Sequence, residues 1–235
     1  MLIPATYDNA TKLLKVTGHD FVAAITYGIG AIGQASPRTA HSFLPEFEEE
    51  LAKQSGRVSV EDFATRLGDF FYRQWQATMP GSVAVGEMVF LIAGYNENEP
   101  YGRVYQLMVA GAPIPVEQNA NEFGLTYGGQ AEITARILDG LDRATIQSIV
   151  GQLNLTQNAA DSLFATVRQQ HTLKIPYQFL PLQDCVDLTI LLIHTTAELM
   201  RFTTDIRGVG GPIDVATITR TEGFRNVQAK QIHGG

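Results

Sequence analysis

The chain has 235 residues, 45% of them apolar and 17% charged, which is enough to bury a sizeable core and leaves little charge to cover a surface. A formal net charge of -7, with no Lys/Arg run longer than two, argues against nucleic acid or an anionic membrane as a partner. A lone cysteine, Cys185, excludes a disulfide framework and a Cys-rich metal site.

The start, MLIPATYDN, has neither a basic region nor an apolar one of signal-peptide type, and no apolar run approaches a membrane span. A cytoplasmic, soluble protein of one domain over residues 1–235 is expected, with a flexible tail over 220–235. In chain order, residues 13–16 and 21–28 read as strands joined by the turn Thr17-Gly18-His19-Asp20. Ser36-Pro37 pairs an N-cap residue with proline at the first helical position, predicting a helix from there to about Gln54. The acidic run Glu46–Glu50 falls inside that helix as a solvated face. Ser59-Val60-Glu61-Asp62 is a weaker form of the capping box and opens a second helix. Its stripe of Phe63, Leu67, Phe70, Phe71 and Trp75 faces a core.

"GEMVFLIAGY" (86–95) is apolar almost throughout, as a strand buried on both faces should be. With "YGRVYQLMVAG" (101–111) it forms an antiparallel hairpin. Phe123–Tyr127 reads as a short strand ended by Gly128-Gly129. Helices follow over about 130–139, 143–152, 156–171 and 182–202. In the last of these Cys185, Leu188, Leu191, Leu192, Leu199 and Phe202 cover most of the circumference, so it is expected between layers, with Cys185 an inert buried thiol. "IDVATIT" (213–219) is the final strand. Helices segregated from antiparallel strands make an α+β protein, and the terminal strand after a buried helix points to a four-layer αββα sandwich.

Two glycine patterns invite a nucleotide reading. "GVGG" (208–211) lies between helix and strand, the reverse of a phosphate loop, and no Lys-Ser/Thr pair follows. "GIGAIG" (28–33) fits G-x-G-x-x-G, yet its helix starts too late and no acidic residue ends a second parallel strand. The five histidines lack metal-ligand spacing, so neither metal nor cofactor is expected. Lys12 and Asp205 remain, each at the end of a buried element beside glycines. A lysine beside a weak nucleophile can activate it electrostatically, although structural roles for both residues stay open.

The ordered set "KLLKV", "FVAAITYG", "MVFLIAGY…YGRVYQL" and "YGGQ", followed by a long helix, Asp205, a Gly-Gly turn and a strand, resembles the proteasome-type N-terminal nucleophile (Ntn) hydrolases. The likeness covers roughly residues 10–220 and is nearer to the bacterial proteasome-related homologues than to eukaryotic ring subunits. It implies a threonine-type peptidase subunit that assembles with copies of itself into a ring and acts on peptides or unfolded proteins. In that family a terminal threonine attacks, its own amine is the base, a lysine lowers its pKa and a glycine amide forms the oxyanion hole. The resemblance places Lys12 at the lysine, Gly28 at the oxyanion-hole glycine, Asp205 at the late aspartate, and Gly128-Gly129 at a Gly-Ser-Gly turn.

The sequence departs from the family in three places. Gly128 stands for the serine of that turn, and Val209 for a late hydroxyl, with one extra residue after Asp205. The threonine should lie two strands, about 20–30 residues, ahead of Lys12. Thr6 and Thr11 are too near in sequence to serve, so the nucleophile and the family's early aspartate are expected upstream of Met1. Three readings follow: a peptidase subunit read here without its N-terminal segment, a non-catalytic shell subunit, and an unrelated α+β binding protein.

Overall fold

The computed structural model describes residues 10–53, 56–79, 86–203 and 208–231. Where one domain is expected, the chain divides into two compact units. The described residues up to 126, together with those from 212 onward, form the first; those between 127 and 211 form the second. The protein is α+β, as its sequence predicts.

In the first unit, strands β1 (Leu13–Lys15) and β2 (Val22–Gly28) are followed by the short pair β3 (Ala31–Ile32) and β4 (Arg38–Thr39). The helix predicted to start at Ser36-Pro37 does not start there. Residues 38–39 pair with 31–32, Thr39 caps a 3-10 turn over Ala40–Phe43, and α1 covers only Leu44–Leu51, with Pro45 in its first turn. The acidic run is also less free than expected: Glu46 pairs with Arg38 at 2.6 Å and Glu50 with Arg73 at 2.6 Å. Helix α2 (Val60–Thr78) begins where its cap predicts, the Ser59 hydroxyl accepting the Asp62 N–H. The predicted hairpin forms as β5 (Met88–Tyr95) and β6 (Gly102–Met108).

Strand β7 (Ala112–Gln118) extends this sheet, in the order β1-β2-β5-β6-β7, all antiparallel. Pro113 and Pro115 hide β7 in the sequence, because proline is expelled from central strands; at a sheet edge it is tolerated. The strand expected over Phe123–Tyr127 is loop instead. Asn119 and Asn121 adopt left-handed backbone there, and the Asn119 amide donates to the Thr126 hydroxyl at 3.0 Å.

The core of this unit lies between α1, α2 and one face of the sheet. Phe47, Phe63, Phe71 and Phe90 are fully buried, and the Phe71 and Phe90 rings approach to 4.7 Å. Burying one such side chain contributes about 2–3 kcal/mol. Of the predicted stripe on α2, the first four members are buried and Trp75 packs at the margin. Gly68 lets α2 sit on β7: a Cβ there would meet the Pro113 carbonyl oxygen at 2.6 Å.

On the opposite face lies a hairpin of β8 (Val215–Thr219) and β9 (Gly223–Gln228), in contact with β5 and β2. The flexible tail expected from residue 220 is therefore corrected over 223–228, where Phe224 and its neighbours pair with β8 and Phe224 N–H donates to Asp20 O at 2.6 Å. The hairpin leaves much of that face open. Ile25 and Met108 are 44% and 46% exposed, and Val116 59%.

The second unit is helical: α3 (Ala131–Asp139), α4 (Arg143–Leu153), α5 (Gln157–His171) and α6 (Leu182–Met200), close to the predicted spans. Asp142 caps α4, accepting the Thr145 N–H and hydroxyl at 2.9 Å each and an Arg136 guanidinium contact. Tyr127 donates to Asp139 at 2.9 Å; burial and that carboxylate push its phenol up to about 12. Helix α6 is not buried all round as predicted. Val186, Leu192, Thr196 and Met200 are buried, whereas Leu182, Leu191, Ile193 and Leu199 are exposed, and so is Cys185. No described helix is long and apolar enough to cross a membrane.

Candidate functional site

The site builds from the register of β1 on β2. Leu14 lies opposite Ala24, and the Thr26 N–H donates to Lys12 O at 3.0 Å, so Lys12 and Thr26 are a hydrogen-bonded pair at the strand end. Side chains alternate along a strand, so Lys12 shares the core-facing side with Leu14 and Val16, both 1% exposed. The Thr26 hydroxyl donates to Val89 O at 3.2 Å and anchors the neighbouring strand.

Two residues beyond Thr26, β2 ends at Gly28 in a left-handed conformation (φ +83°). Ile29 N–H donates to Glu87 O at 2.9 Å and draws the backbone against β5. A Cβ on Gly28 would stand 2.1 Å from that oxygen, so only glycine fits. Lys12, Gly28 and Gly30 line one small cleft of about 40 Å³ with Thr11, Thr39 and Ala40. Two of the sequence-predicted residues, Lys12 and Gly28, are thus brought together.

Asp205 lies outside the described residues. Gly128 and Gly129 belong to the helical unit, where Gly129 (φ +80°) turns the chain into α3 and its carbonyl accepts the Ala131 N–H at 2.9 Å.

Two groups lining the small cleft are shifted: burial raises the Tyr27 phenol, and Lys12 moves the other way. Its pKa is lowered, first by desolvation and then by the positive charge of Lys230. Lys230 and Asp214 escaped the sequence reading. They lie on opposite strand ends of the β8–β9 hairpin: Lys230 N–H donates to Asp214 Oδ1 at 2.8 Å and its ammonium stands 3.7 Å from Oδ2, each side chain less than a fifth exposed. The ammonium also donates to Ala10 O at 3.0 Å, beside Lys12. The sequence signal for this pair is the Thr-Glu-Gly turn at 221–223, which closes the hairpin. A larger cleft of about 270 Å³ adjoins the first through Thr11 and runs between β1, His41 and the hairpin.

Among the described residues no group of three His, Cys, Asp or Glu side chains is placed to hold a metal. What the arrangement supplies is an amine of lowered pKa on the wall of a cleft that the Gly28 turn also lines. That combination can stabilise an oxyanion or lower the pKa of a hydroxyl brought between them. Comparison with protein-family models and with curated proteins finds no match to this chain.

Proposed function

We propose that the protein is a proteasome-like subunit of Ntn-hydrolase type, in which Lys12 activates a threonine hydroxyl and the turn at Gly28 holds the oxyanion. The observation that carries this reading is the meeting of Lys12, its pKa lowered, with left-handed Gly28 in one cleft at the ends of adjacent strands. Peptide-bond hydrolysis by this route needs hydroxyl and α-amine on one residue, because the amine is the base. In this reading that residue is a terminal threonine on a segment ahead of β1. A four-layer αββα sandwich is the arrangement the reading requires; the helix layer, the five-stranded sheet and the β8–β9 hairpin on its far face agree with three of those layers. The test is turnover of short fluorogenic peptides by a chain extended upstream to a terminal threonine. Turnover is expected from it and not from the sequence starting at Met1; no turnover from the extended chain contradicts the proposal.

The exposed Leu182, Leu191 and Leu199 on α6 favour a second reading, a shell subunit that self-assembles without catalysis. Gly128 and Val209, in place of two hydroxyls, agree with it. Sedimentation separates this reading from an unrelated monomeric binding protein: a large homo-oligomer is expected, and a clean monomer at micromolar concentration contradicts both assembly readings.

A further inference from the structure

The end of the β8–β9 hairpin fastens the residues that lead into β1. The Lys12 carbonyl accepts the Thr26 N–H at 3.0 Å, and two residues earlier the Ala10 carbonyl accepts from the Lys230 ammonium, also at 3.0 Å. Lys230 is itself held. Its backbone N–H donates to Asp214 Oδ1 at 2.8 Å, its ammonium lies 3.7 Å from Oδ2, and beside them Gln228 Nε2 donates to Ile213 O at 2.7 Å. The open end of the hairpin is closed by these bonds, and the ammonium is tied to both of its strands.

The Lys230 and Asp214 side chains are only 16% and 17% exposed. An ion pair enclosed to this degree contributes little net stability, because desolvation offsets the attraction. What it does supply is a positive charge fixed in place near Lys12. Lys230 lines the larger cleft with Leu13 and Lys15, whereas Lys12 alternates with them to the core-facing side of β1. The two ammonium groups thus stand on either side of one backbone segment, and Lys230 is the second cause, after desolvation, of the lowered Lys12 pKa. Among the described residues, the other titratable groups lining the two clefts are Lys15, which pairs with Asp20 at 3.1 Å, His41 and Tyr27.

We propose that Lys230 is a positioning residue for Lys12: anchored by Asp214, it fixes the start of β1 through the Ala10 carbonyl and holds a second positive charge beside the segment that carries the Lys12 amine. A like charge held there favours the neutral amine, so Lys12 releases its proton more readily than it would beside a neutral side chain. The catalytic meaning of this role rests on the Ntn reading; the electrostatic link between the two lysines does not.

The experiment is NMR titration of the lysine side-chain carbons in the parent, Lys230→Gln and Lys230→Arg, with the Lys12 signal identified by its loss in Lys12→Arg. Lys230→Gln should raise the proton affinity of Lys12 about threefold. Lys230→Arg keeps the charge and a donor for the Ala10 carbonyl, and should leave that affinity close to the parent's. A role confined to packing would move Lys12 alike in both variants, or in neither. If Lys230→Gln does not fold, Lys230→Met, which keeps an unbranched stem without the charge, takes its place. In the threonine-extended chain the alkaline limb of the kcat/KM profile should move to higher pH in Lys230→Gln and return in Lys230→Arg. Absence of turnover in that chain counts against the Ntn reading alone, and the titration still decides the role of Lys230. An unmoved or lowered Lys12 affinity in the neutral variants overturns the proposal, as does an equal rise in Lys230→Arg.

Discussion

Gly28 and Glu87 are so close that a side chain on the glycine would fall 2.1 Å from the glutamate's backbone oxygen. The left-handed φ of +83° adds a second penalty for any L-residue. Gly28→Ala should therefore cost about 3 kcal/mol, lowering the thermal midpoint by about 6–12 °C. Gly30→Ala is the control, since a Cβ there meets nothing within 4 Å. It should change stability by less than about 0.5 kcal/mol. Equal melting of the two variants contradicts the backbone geometry assigned to this turn.

Lys12 titrates below an ordinary lysine, because of desolvation and then Lys230. The unfolded chain, with a lysine pKa near 10.4, then holds the proton more tightly than the folded one. The charged amine costs stability below the folded pKa, and that cost is relieved as pH rises through it. Lys230→Gln should move the Lys12 pKa part of the way back up, desolvation retaining the rest. Titration of the lysine side-chain carbons by NMR reads this; an unmoved or lowered Lys12 pKa in that variant contradicts the coupling.

Asp142 works in the opposite sense. The Thr145 N–H and the Arg136 guanidinium hold its carboxyl well below the usual carboxylate range, in a residue only 1% exposed. Its contribution is complete above the unfolded pKa of about 3.9 and is lost as pH falls through the folded value. Asp142→Ala should cost about 1–2 kcal/mol at neutral pH through loss of the α4 cap. Urea unfolding at neutral and acid pH checks it: the gap between variant and parent should narrow as the medium is acidified below about pH 4.

The parts of the fold that were legible in the sequence are those with a local cause. The Ser59 cap and the aromatic stripe behind it set α2, and the apolar run at 88–95 with its turn set the β5–β6 hairpin. What was not legible depends on contacts distant in sequence. The two prolines of β7 read as strand breakers until the strand is known to be an edge. The apolar positions of α6 suggested burial on every side, but only one side of that helix is buried, where it packs on α3. In the candidate site, Lys12 and Gly28 could be read because β1 and β2 are neighbours in the chain. Of the Asp214–Lys230 pair only the hairpin turn at 221–223 is legible; its approach to Lys12 spans some 200 residues of sequence.

The central claim is that the Lys12 amine activates a hydroxyl, and Lys12→Ala in a threonine-extended chain tests it most directly. Turnover of a fluorogenic peptide should fall to background in Lys12→Ala while the sedimentation coefficient stays that of the parent. Lys12→Arg should fail as well, since arginine keeps the charge but not the shape, the reach or the adjustable pKa of lysine. Turnover that survives Lys12→Ala would contradict the role given to Lys12 and the mechanism built on it.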